Sequence, residues 1–407
     1  MSKFFFSVFL FLLLILTALL SISFFYEAPL SSAISHNSRL RYFKELIIPK
    51  KEAKVVYGFL PYWNINTFSL EKELTHLAFF GLDIGSDGQL LSRSSDGNLE
   101  PGYRHLSSEA FLELAEEAKK QNTQVELVLK QFNSRDIATF LANEPAMEKF
   151  LTSLDSVLLA YPITGINIDI EYSGEKSPEL RQGMTELMRK LRQHLDNKYQ
   201  STTLSIDVYA SASSDNKGLW DLPELAKYVD YIVVMAYDFH QRSSGQAGPV
   251  APLFSEDQKW GSDINAHLKL FLDQVPREKI LLGIPFYGYG WQTDASTARA
   301  NTYENSGFTV SYKKAKELLN LSRGGTSEDN TWVGVSQIRQ GFDEDALSPY
   351  ITYQQDDHLY TIYYENPQSI AYKLEYARQL DLAGIAIWAL GYEDQERELW
   401  EVIANGI

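Results

Sequence analysis

The chain has 407 residues and a formal net charge of −16, with 44% hydrophobic and 22% charged residues. These values are typical of a globular protein with a substantial core, and they argue against a disordered chain and against a nucleic-acid-binding protein, which needs a basic patch. There is no cysteine, so disulfides, thiolate catalysis and cysteine-based metal sites are excluded.

The first predicted element is an uncharged apolar run over Phe4–Tyr26. The run is long enough to span a bilayer, which takes about 20 apolar residues, whereas a cleaved signal peptide has a shorter apolar region. We favour a signal anchor over residues 1–27, with a cleaved signal peptide as the alternative, and a polar linker over 28–52. Either form predicts an extracytoplasmic protein, membrane-anchored or secreted. The excess of Lys and Arg after the run argues the other way by the positive-inside rule.

After the linker, eight short apolar segments alternate with helical patterns. Each is rich in β-branched or aromatic residues, as buried parallel strands are. The segments are Val55–Trp63, Leu74–Asp83, Gln124–Phe132, Ile163–Tyr172, Thr203–Ala210, Tyr231–Asp238, Ile280–Tyr287 and Gly384–Leu390. Helices are predicted over Ser107–Gln121, with Phe111, Leu114, Ala115 and Ala118 on one face, and over Pro178–Tyr199 and Ile370–Leu380. The alternation predicts an α/β fold, a closed (β/α)8 TIM barrel, with an open doubly wound sheet as the alternative.

The connection between the last two strand segments is far longer than one helix requires. It contains a predicted helix over Val310–Leu321 and strand-like ends over Tyr350–Tyr353 and Leu359–Tyr364. We therefore predict barrel strands one to seven over residues 53–293, a small α+β insertion over 294–363, and completion of the barrel with strand eight over 364–407. Such an insertion follows the C-terminal end of a strand, the end at which barrel enzymes place their active sites.

The fourth strand segment has the most informative pattern. Side chains alternate between the two faces of a strand, so Asn167, Asp169 and Glu171 share one face, and the three intervening isoleucines share the other. The isoleucines are expected to pack against helices, which turns the polar side chains into the barrel. Three inward polar groups are costly unless they serve one another or a ligand. A polar network that only stabilises the barrel is the alternative interpretation.

The charges on this strand suggest roles for its carboxyl groups. Glu171 is outermost and can reach a bound substrate, and Asp169 is its neighbour on the same face. Two close carboxyl groups do not both ionise easily, so one keeps its proton to a higher pH. A retained proton is what a general acid requires. We expect Glu171 to be that acid, and Asp169 to share the proton and later turn toward the substrate.

This strand resembles the DxxDxDxE signature of glycoside hydrolase family 18, the chitinase-like family. Thr164 and Asn167 stand where the family has its first two aspartates, whereas Asp169 and Glu171 match. Four further segments resemble family motifs in the same order, and the resemblance covers roughly residues 54–405. These segments are Tyr57–Phe59, Met235–Asp238 (MAYD), Gly283–Gly288 (GIPFYG) and Gly384–Trp388. The segment Tyr363–Asp394 resembles bacterial members, including those linked to peptidoglycan.

The resemblance implies substrate-assisted retaining hydrolysis of β-1,4-linked polymers that contain N-acetylglucosamine. The 2-acetamido oxygen of the sugar attacks the anomeric carbon, so no protein nucleophile is required. By the resemblance, Glu171 protonates the leaving oxygen, Asp169 orients and stabilises the oxazolinium, and Tyr237 donates a hydrogen bond to the acetamido carbonyl. Trp388 would form the floor of the sugar site and Asp238 would bind hydroxyls. The remaining predicted substrate-binding residues are Asn167, Tyr57, Tyr287 and Met235.

The amide at position 167 is a departure from the family pattern. It removes a charge next to Asp169, so we expect Asp169 to ionise more readily than it would beside an aspartate. The departures at Thr164 and Asn167 also leave open a lectin-like barrel that binds chitin or peptidoglycan without cleaving it. A third alternative is a retaining hydrolase with a protein nucleophile, in which Asp238 pairs with Glu171.

The histidines show no metal-ligand spacing, so we expect neither a metal nor a cofactor. The expected partner is an N-acetylated polysaccharide or oligosaccharide, with no nucleic acid. An uncleaved N-terminal segment would add a membrane, and we expect a monomer.

Overall fold

The computed structural model describes residues 54–255, 261–326 and 330–407. Eight parallel strands in this part of the chain form a closed barrel. They are β1 (Val55–Pro61), β2 (His76–Asp83), β3 (Gln124–Gln131), β4 (Gly165–Ile170), β5 (Thr203–Tyr209), β6 (Tyr231–Met235), β7 (Ile280–Pro285) and β13 (Gly384–Trp388). Each strand pairs with its neighbour in sequence, and β13 closes the ring between β7 and β1. The predicted TIM barrel is therefore confirmed, and the open sheet is excluded.

Most of the strands end one to three residues before the predicted positions. The sixth segment, for example, was predicted to continue to Asp238, but β6 ends at Met235. Tyr237 and Asp238 belong to the loop that follows, and Asp238 has a left-handed backbone with φ of 61°. The apolar and aromatic pattern continues into these loops because their side chains pack over the end of the barrel. Sequence pattern alone does not separate such residues from the strand.

Helices surround the barrel and cover its outer surface. They are α1 (Pro101–Leu106), α2 (Glu109–Gln121), α3 (Ser134–Leu141), α4 (Glu144–Ala160), α5 (Pro178–Lys198), α6 (Leu222–Leu225), α7 (Ile264–Leu272), α9 (Pro367–Gln379) and α10 (Glu398–Gly406). Helix α2 begins after Ser108, whose hydroxyl accepts a hydrogen bond from the Phe111 amide. Its buried face consists of the four residues predicted from the sequence: Phe111, Leu114, Ala115 and Ala118.

The main hydrophobic core lies between the barrel and these helices. Ile166, Ile168 and Ile170 of β4 are fully buried in that core, together with helix residues such as Leu187. The alternation along β4 therefore turns Asn167 and Asp169 into the barrel interior, where both are buried.

The chain between β7 and β13 forms a second, five-stranded antiparallel sheet. Its strands are β8 (Tyr287–Thr293), β9 (Phe308–Ser311), β10 (Val335–Asp343), β11 (Ser348–Gln355) and β12 (His358–Tyr363), in the spatial order β10-β11-β12-β8-β9. Helix α8 (Tyr312–Leu321) follows β9. An α+β insertion was predicted to begin at residue 294, but this sheet begins at Tyr287. The predicted boundary was too late because β7 and β8 are separated only by Phe286 and read as one apolar run.

Gly288 of β8 allows the two strands at the centre of the second sheet to approach closely. A Cβ atom at this position would lie 2.0 Å from the carbonyl oxygen of Tyr363, at the end of β12. Residues Tyr289 and Tyr363 are paired in the same ladder. A side chain at 288 would therefore push the strands apart.

The predicted signal anchor over residues 1–27 and the linker over 28–52 lie outside the described residues. Within the described part of the chain, none of the helices is both long enough and apolar enough to cross a bilayer.

Candidate active site

The inward face of β4 leads to the C-terminal mouth of the barrel. Asn167 is fully buried, Asp169 is 4% exposed, and Glu171 follows the end of the strand in a half-buried position. The depth of the three side chains thus decreases toward the mouth. Of the three, Glu171 is the one that a ligand at the mouth can reach.

Glu171 keeps its proton to a higher pH than an exposed glutamate does. Burial is the largest cause of its raised pKa, and the negative charge of Asp238 raises the pKa further. A hydrogen bond from the Tyr209 hydroxyl opposes this shift by stabilising the ionised form. A carboxyl group that is held near the mouth with a raised pKa has the properties of a general acid.

Asp169 lies beneath Glu171 in a strongly desolvated position. Its Oδ1 atom is buried and has no hydrogen-bond partner within the described residues. Burial raises the pKa of Asp169 well above its usual value, and the charges of Asp207 and Glu171 add to this effect. The Lys130 ammonium acts in the opposite direction. Asp169 therefore keeps its proton to a higher pH than an exposed aspartate does.

Asp207 brings a further carboxyl group next to the amide at position 167. The Asn167 side-chain NH2 group donates to the Ser205 hydroxyl at 3.0 Å and to Asp207 Oδ1 at 2.8 Å. Asp207 is 3% exposed and lies on β5, the neighbouring strand. From the sequence, Asp169 was expected to ionise more readily than it would beside an aspartate at position 167, and only the charges on β4 were considered. In the structure, burial raises the pKa of Asp169 most, and the charge of Asp207 adds to that effect.

The loop after β6 brings Tyr237 and Asp238 to the same mouth. Burial raises the pKa of Tyr237 well above its usual value, followed by the charges of Asp207 and Asp169, so its hydroxyl remains a donor. Asp238 Oδ1 accepts hydrogen bonds from the hydroxyls of Tyr287 and, at 3.0 Å, Tyr289. These bonds tie the loop after β6 to β8 of the second sheet. Burial nevertheless raises the pKa of Asp238.

Aromatic side chains line another part of the mouth. Trp388, at the end of β13, is half-buried and contacts Phe80 edge-on, with ring centroids 4.7 Å apart. Phe80 also stacks with Phe132 at 6.3 Å and contacts Trp63 edge-on at 6.3 Å. Trp63 is 48% exposed and Phe132 is 46% exposed. Exposed aromatic faces next to polar groups suit the apolar faces of pyranose rings.

Three predicted substrate-binding residues have less direct positions. Tyr57 is fully buried, and its hydroxyl donates to Glu126 Oε2 at 2.7 Å. Its side chain is engaged in the barrel interior, so the prediction that it contacts the sugar directly is corrected. Tyr287 is 5% exposed and binds Asp238, which gives it a role in positioning that carboxyl. Met235 is the last residue of β6 and pairs with Tyr209 in the ladder.

The polar residues of β5 and β3 were not predicted from the sequence. Ser205, Asp207 and Tyr209 alternate along β5 in the same way as the residues recognised on β4. The alternation rule, applied to this strand, would have predicted an inward polar face. Glu126 and Lys130 of β3 were hidden in a run that otherwise reads as apolar. In the described part of the chain, His, Asp and Glu side chains form no group of three or more that could hold a metal ion.

A closed parallel barrel with carboxyl groups and exposed aromatic rings at the C-terminal ends of its strands defines a barrel enzyme of the glycosidase class. The family model described as glycosyl hydrolases family 18 matches residues 35–393. The chain therefore belongs to glycosyl hydrolase family 18, and it is a glycosidase.

Individual relatives are distant but cover most of the chain. YvbX of Bacillus subtilis (strain 168), described as an uncharacterized glycosylase, is 25% identical over 71% of this chain and 76% of the relative. Probable chitinase 2 of Drosophila melanogaster is 24% identical over 79% of this chain and 66% of the relative. The crystal structure of Ostrinia furnacalis Group IV chitinase in complex with allosamidin is 21% identical, with a TM-score of 0.70. The structural match covers 86% of this chain and 98% of the chitinase chain, which shows that the two share a fold.

Proposed function

We propose that the protein hydrolyses β-1,4 linkages in polymers that contain N-acetylglucosamine, of the chitin or peptidoglycan type, by substrate-assisted retaining catalysis. The observation that carries this proposal is the position of Glu171, a carboxyl group with a raised pKa at the barrel mouth, directly above the buried Asp169. The similarity to a probable chitinase and to a chitinase solved with allosamidin supports the substrate class.

In the first step, Glu171 donates its proton to the glycosidic oxygen as the bond to the anomeric carbon breaks. The carbonyl oxygen of the 2-acetamido group attacks that carbon and forms an oxazolinium ion. Asp169, turned toward the mouth as an anion, accepts a hydrogen bond from the acetamido N–H and stabilises the positive charge. Tyr237 donates a hydrogen bond from its hydroxyl to the acetamido oxygen, and this bond holds the oxygen in the attacking position.

In the second step, the ionised Glu171 removes a proton from water, which attacks the anomeric carbon and opens the oxazolinium. The acetamido group is regenerated, and the configuration at the anomeric carbon is retained. Glu171 recovers its proton and thus acts as acid and then as base. Trp388 supports the sugar ring, and Asp238 binds sugar hydroxyls, in this proposal.

Asp238 is poorly suited to act as a protein nucleophile. Its Oδ1 atom accepts hydrogen bonds from two tyrosine hydroxyls, which reduce the electron density available for attack on carbon. This is the reason to prefer the acetamido group as nucleophile.

The test compares an aryl β-chitobioside with the matched aryl β-cellobioside, which has hydroxyls in place of the acetamido groups. The proposal expects cleavage of the first alone. Cleavage of both would favour a protein nucleophile, and binding without cleavage would favour a lectin-like protein. Side-by-side product analysis on chitin oligomers and purified peptidoglycan then separates the two polymers.

The role of Glu171 is tested by Glu171→Gln, with Glu175→Gln as the matched control. Glu175 lies in the exposed loop after β4, a few residues from Glu171. Loss of the general acid is expected to lower kcat by at least about 100-fold while oligosaccharide binding persists. Glu175→Gln should keep wild-type kcat. A Glu171→Gln variant that keeps wild-type turnover would rule out the assignment.

The location of the protein is a separate proposal. An extracytoplasmic protein, secreted or held by residues 1–27, would meet polymeric cell-wall or chitin substrates directly. Protease accessibility of the barrel in intact cells tests this expectation.

A further inference from the structure

The β4–β5 register places two buried carboxyl groups side by side. Asn167 pairs with Ser205, and Ile168 pairs with Ile206. The paired register ends there. Asp169 and Asp207 are the next residues on the two strands, both side chains point into the barrel, and the charge of Asp207 acts on Asp169. Asp169 is 4% exposed and Asp207 is 3% exposed.

The Asn167 amide determines which oxygen of Asp207 can bear a proton. The two amide hydrogens of Asn167 are donated to Ser205 Oγ and Asp207 Oδ1. An oxygen that accepts this bond is a poor location for a proton, so a proton on Asp207 is expected on Oδ2. Asp169 Oδ1, buried without a hydrogen-bond partner in the described chain, is an acceptor that such a proton would satisfy.

Little positive charge is available to keep both carboxyl groups ionised. The groups that face Asp207 are anions or neutral hydroxyls and amides from four other strands and their loops. They are Tyr57 of β1, Glu126 of β3, Asn167, Asp169 and Glu171 of β4 or its end, and Tyr237 after β6. The cation in this region, Lys130, is paired with Asp83. Two neighbouring buried carboxyl groups in such surroundings retain one proton between them.

We propose that Asp207 is a positioning residue that holds one proton in common with Asp169, and thereby replaces the aspartate that the family pattern has at position 167. The proposal rests on the proposed function for its catalytic meaning. Without a sugar, the shared proton keeps Asp169 turned inward. When a sugar binds, the proton stays on Asp207 Oδ2, and Asp169 is released as the anion that accepts the acetamido N–H. Both Asp169 and Asp207 have a pKa raised well above the usual value, chiefly through burial, which agrees with a retained proton.

The first measurement requires no substrate. A proton kept by the folded state and lost by the unfolded chain changes the unfolding equilibrium constant by about tenfold per pH unit, above the unfolded aspartate pKa of about 4. Stability of wild type should therefore fall as the pH rises through this range. Asp207→Asn has the shape of the protonated side chain and cannot ionise. It should reduce the slope of stability against pH by the amount expected for about one proton. The double variant Asn167→Asp/Asp207→Asn returns a carboxyl group to a neighbour of Asp169 and should restore the slope.

The second measurement is the pH dependence of kcat/KM on an aryl β-chitobioside. In Asp207→Asn the amide cannot ionise, so no second negative charge forms beside Asp169 at high pH. The alkaline limb should therefore move to higher pH by at least about half a unit. The double variant should return it toward wild type. Glu126→Gln is the matched control: it removes a different buried carboxyl whose charge acts on Asp207 only at a distance, so it should alter the stability slope and move the limb less than Asp207→Asn does.

Three results would overturn the proposal. In the first, stability depends on pH in Asp207→Asn as steeply as in wild type. In the second, the double variant still behaves like Asp207→Asn. In the third, the stability slope of Asp207→Asn decreases but the alkaline limb of its kcat/KM does not move. The last result would limit the pair to a role in stability. If wild type cleaves neither chitobioside nor peptidoglycan, the proposed function fails, but the stability slopes still decide whether the proton is shared.

Discussion

The Tyr209 hydroxyl donates a hydrogen bond to the Glu171 carboxyl group, and so links the end of β5 to the residue that follows β4. This bond stabilises the ionised form of Glu171 and counteracts the pKa increase caused by burial. The pKa of Glu171 is therefore raised, but by less than burial alone would raise it. Glu171 can be protonated to act as an acid, and Tyr209 stabilises its ionised form once the proton has left.

Removal of this bond should make Glu171 a weaker acid. In Tyr209→Phe the ionised form loses a donor, so the pKa of Glu171 should rise further. Because the reaction begins with protonated Glu171, loss of this proton also contributes to the alkaline limb of kcat/KM, and the limb should move to higher pH by about half to one unit. The matched control is Tyr172→Phe, since the Tyr172 hydroxyl binds the Glu175 carbonyl. A limb that moves to lower pH would contradict this account of the bond.

Trp388 should determine affinity more than turnover. Trp388→Ala removes an aromatic face at the mouth, and we expect the Kd for N-acetylglucosamine oligomers to rise by about 10- to 100-fold. Isothermal titration calorimetry in the Glu171→Gln background would measure it. Trp400→Phe is the control, because Trp400 is fully buried and donates to Glu393. An equal loss of affinity in both variants would indicate a general structural effect.

The buried Glu126 should make the protein less stable as the pH rises. Burial raises the pKa of Glu126 to about 8. In the unfolded chain its pKa is about 4.3, so the folded state holds the extra proton between these two values. The contribution of Glu126 is then fully favourable below about pH 4 and is lost as the pH rises through about 8, by an amount on the order of a few kcal/mol.

The Glu126→Gln variant should remove this pH dependence. Its amide oxygen can still accept from Tyr57 and Ser205, which bind Glu126 Oε2 at 2.7 and 3.1 Å. Chemical denaturation at several pH values should show a smaller loss of stability between pH 5 and 8, as expected from the removal of one retained proton. Parallel stability curves for Glu126→Gln and wild type would mean that Glu126 is ionised in the folded protein.

Gly288→Ala should disrupt the centre of the second sheet. The new Cβ atom would lie 2.0 Å from the Tyr363 carbonyl oxygen, so β8 and β12 must separate. We expect a loss of about 1–3 kcal/mol in the free energy of unfolding, visible as a lower Tm. Gly245→Ala is the control, because a Cβ atom at 245 would have no neighbour within 4 Å. Equal Tm values for the two variants would contradict the close approach.

The sequence was sufficient to predict the barrel and the inward face of β4, because both depend on short-range patterns. Alternation placed Asn167 and Asp169 inside, and the isoleucines between them mark the outer face. Helix α2 was predicted for the same reason: its apolar spacing is local. The match to family motifs added roles for Tyr237 and Trp388, which remain predictions.

What the sequence did not reveal depends on contacts between strands. Asp207 is forty residues from Asn167, and their hydrogen bond exists because β4 and β5 are neighbours in register. The position of Tyr57 could not be read from its motif either. Its side chain is packed inside the barrel with residues of other strands, and its hydroxyl donates to Glu126 of β3. The start of the second sheet was misplaced because one residue separates β7 from β8.

The Asn167 amide lies between two acidic groups, with Ser205 and Glu126 toward the base of the barrel and Asp207 toward the mouth. A neutral carboxamide neither gains nor loses a proton in water near neutral pH. It therefore interrupts any chain of proton transfer between Glu126 and Asp207 while leaving their charges close enough to interact. Ionisation at the base therefore acts on Asp207 through its electric field, and in the proposed reaction the protons of Glu171 come from the open mouth.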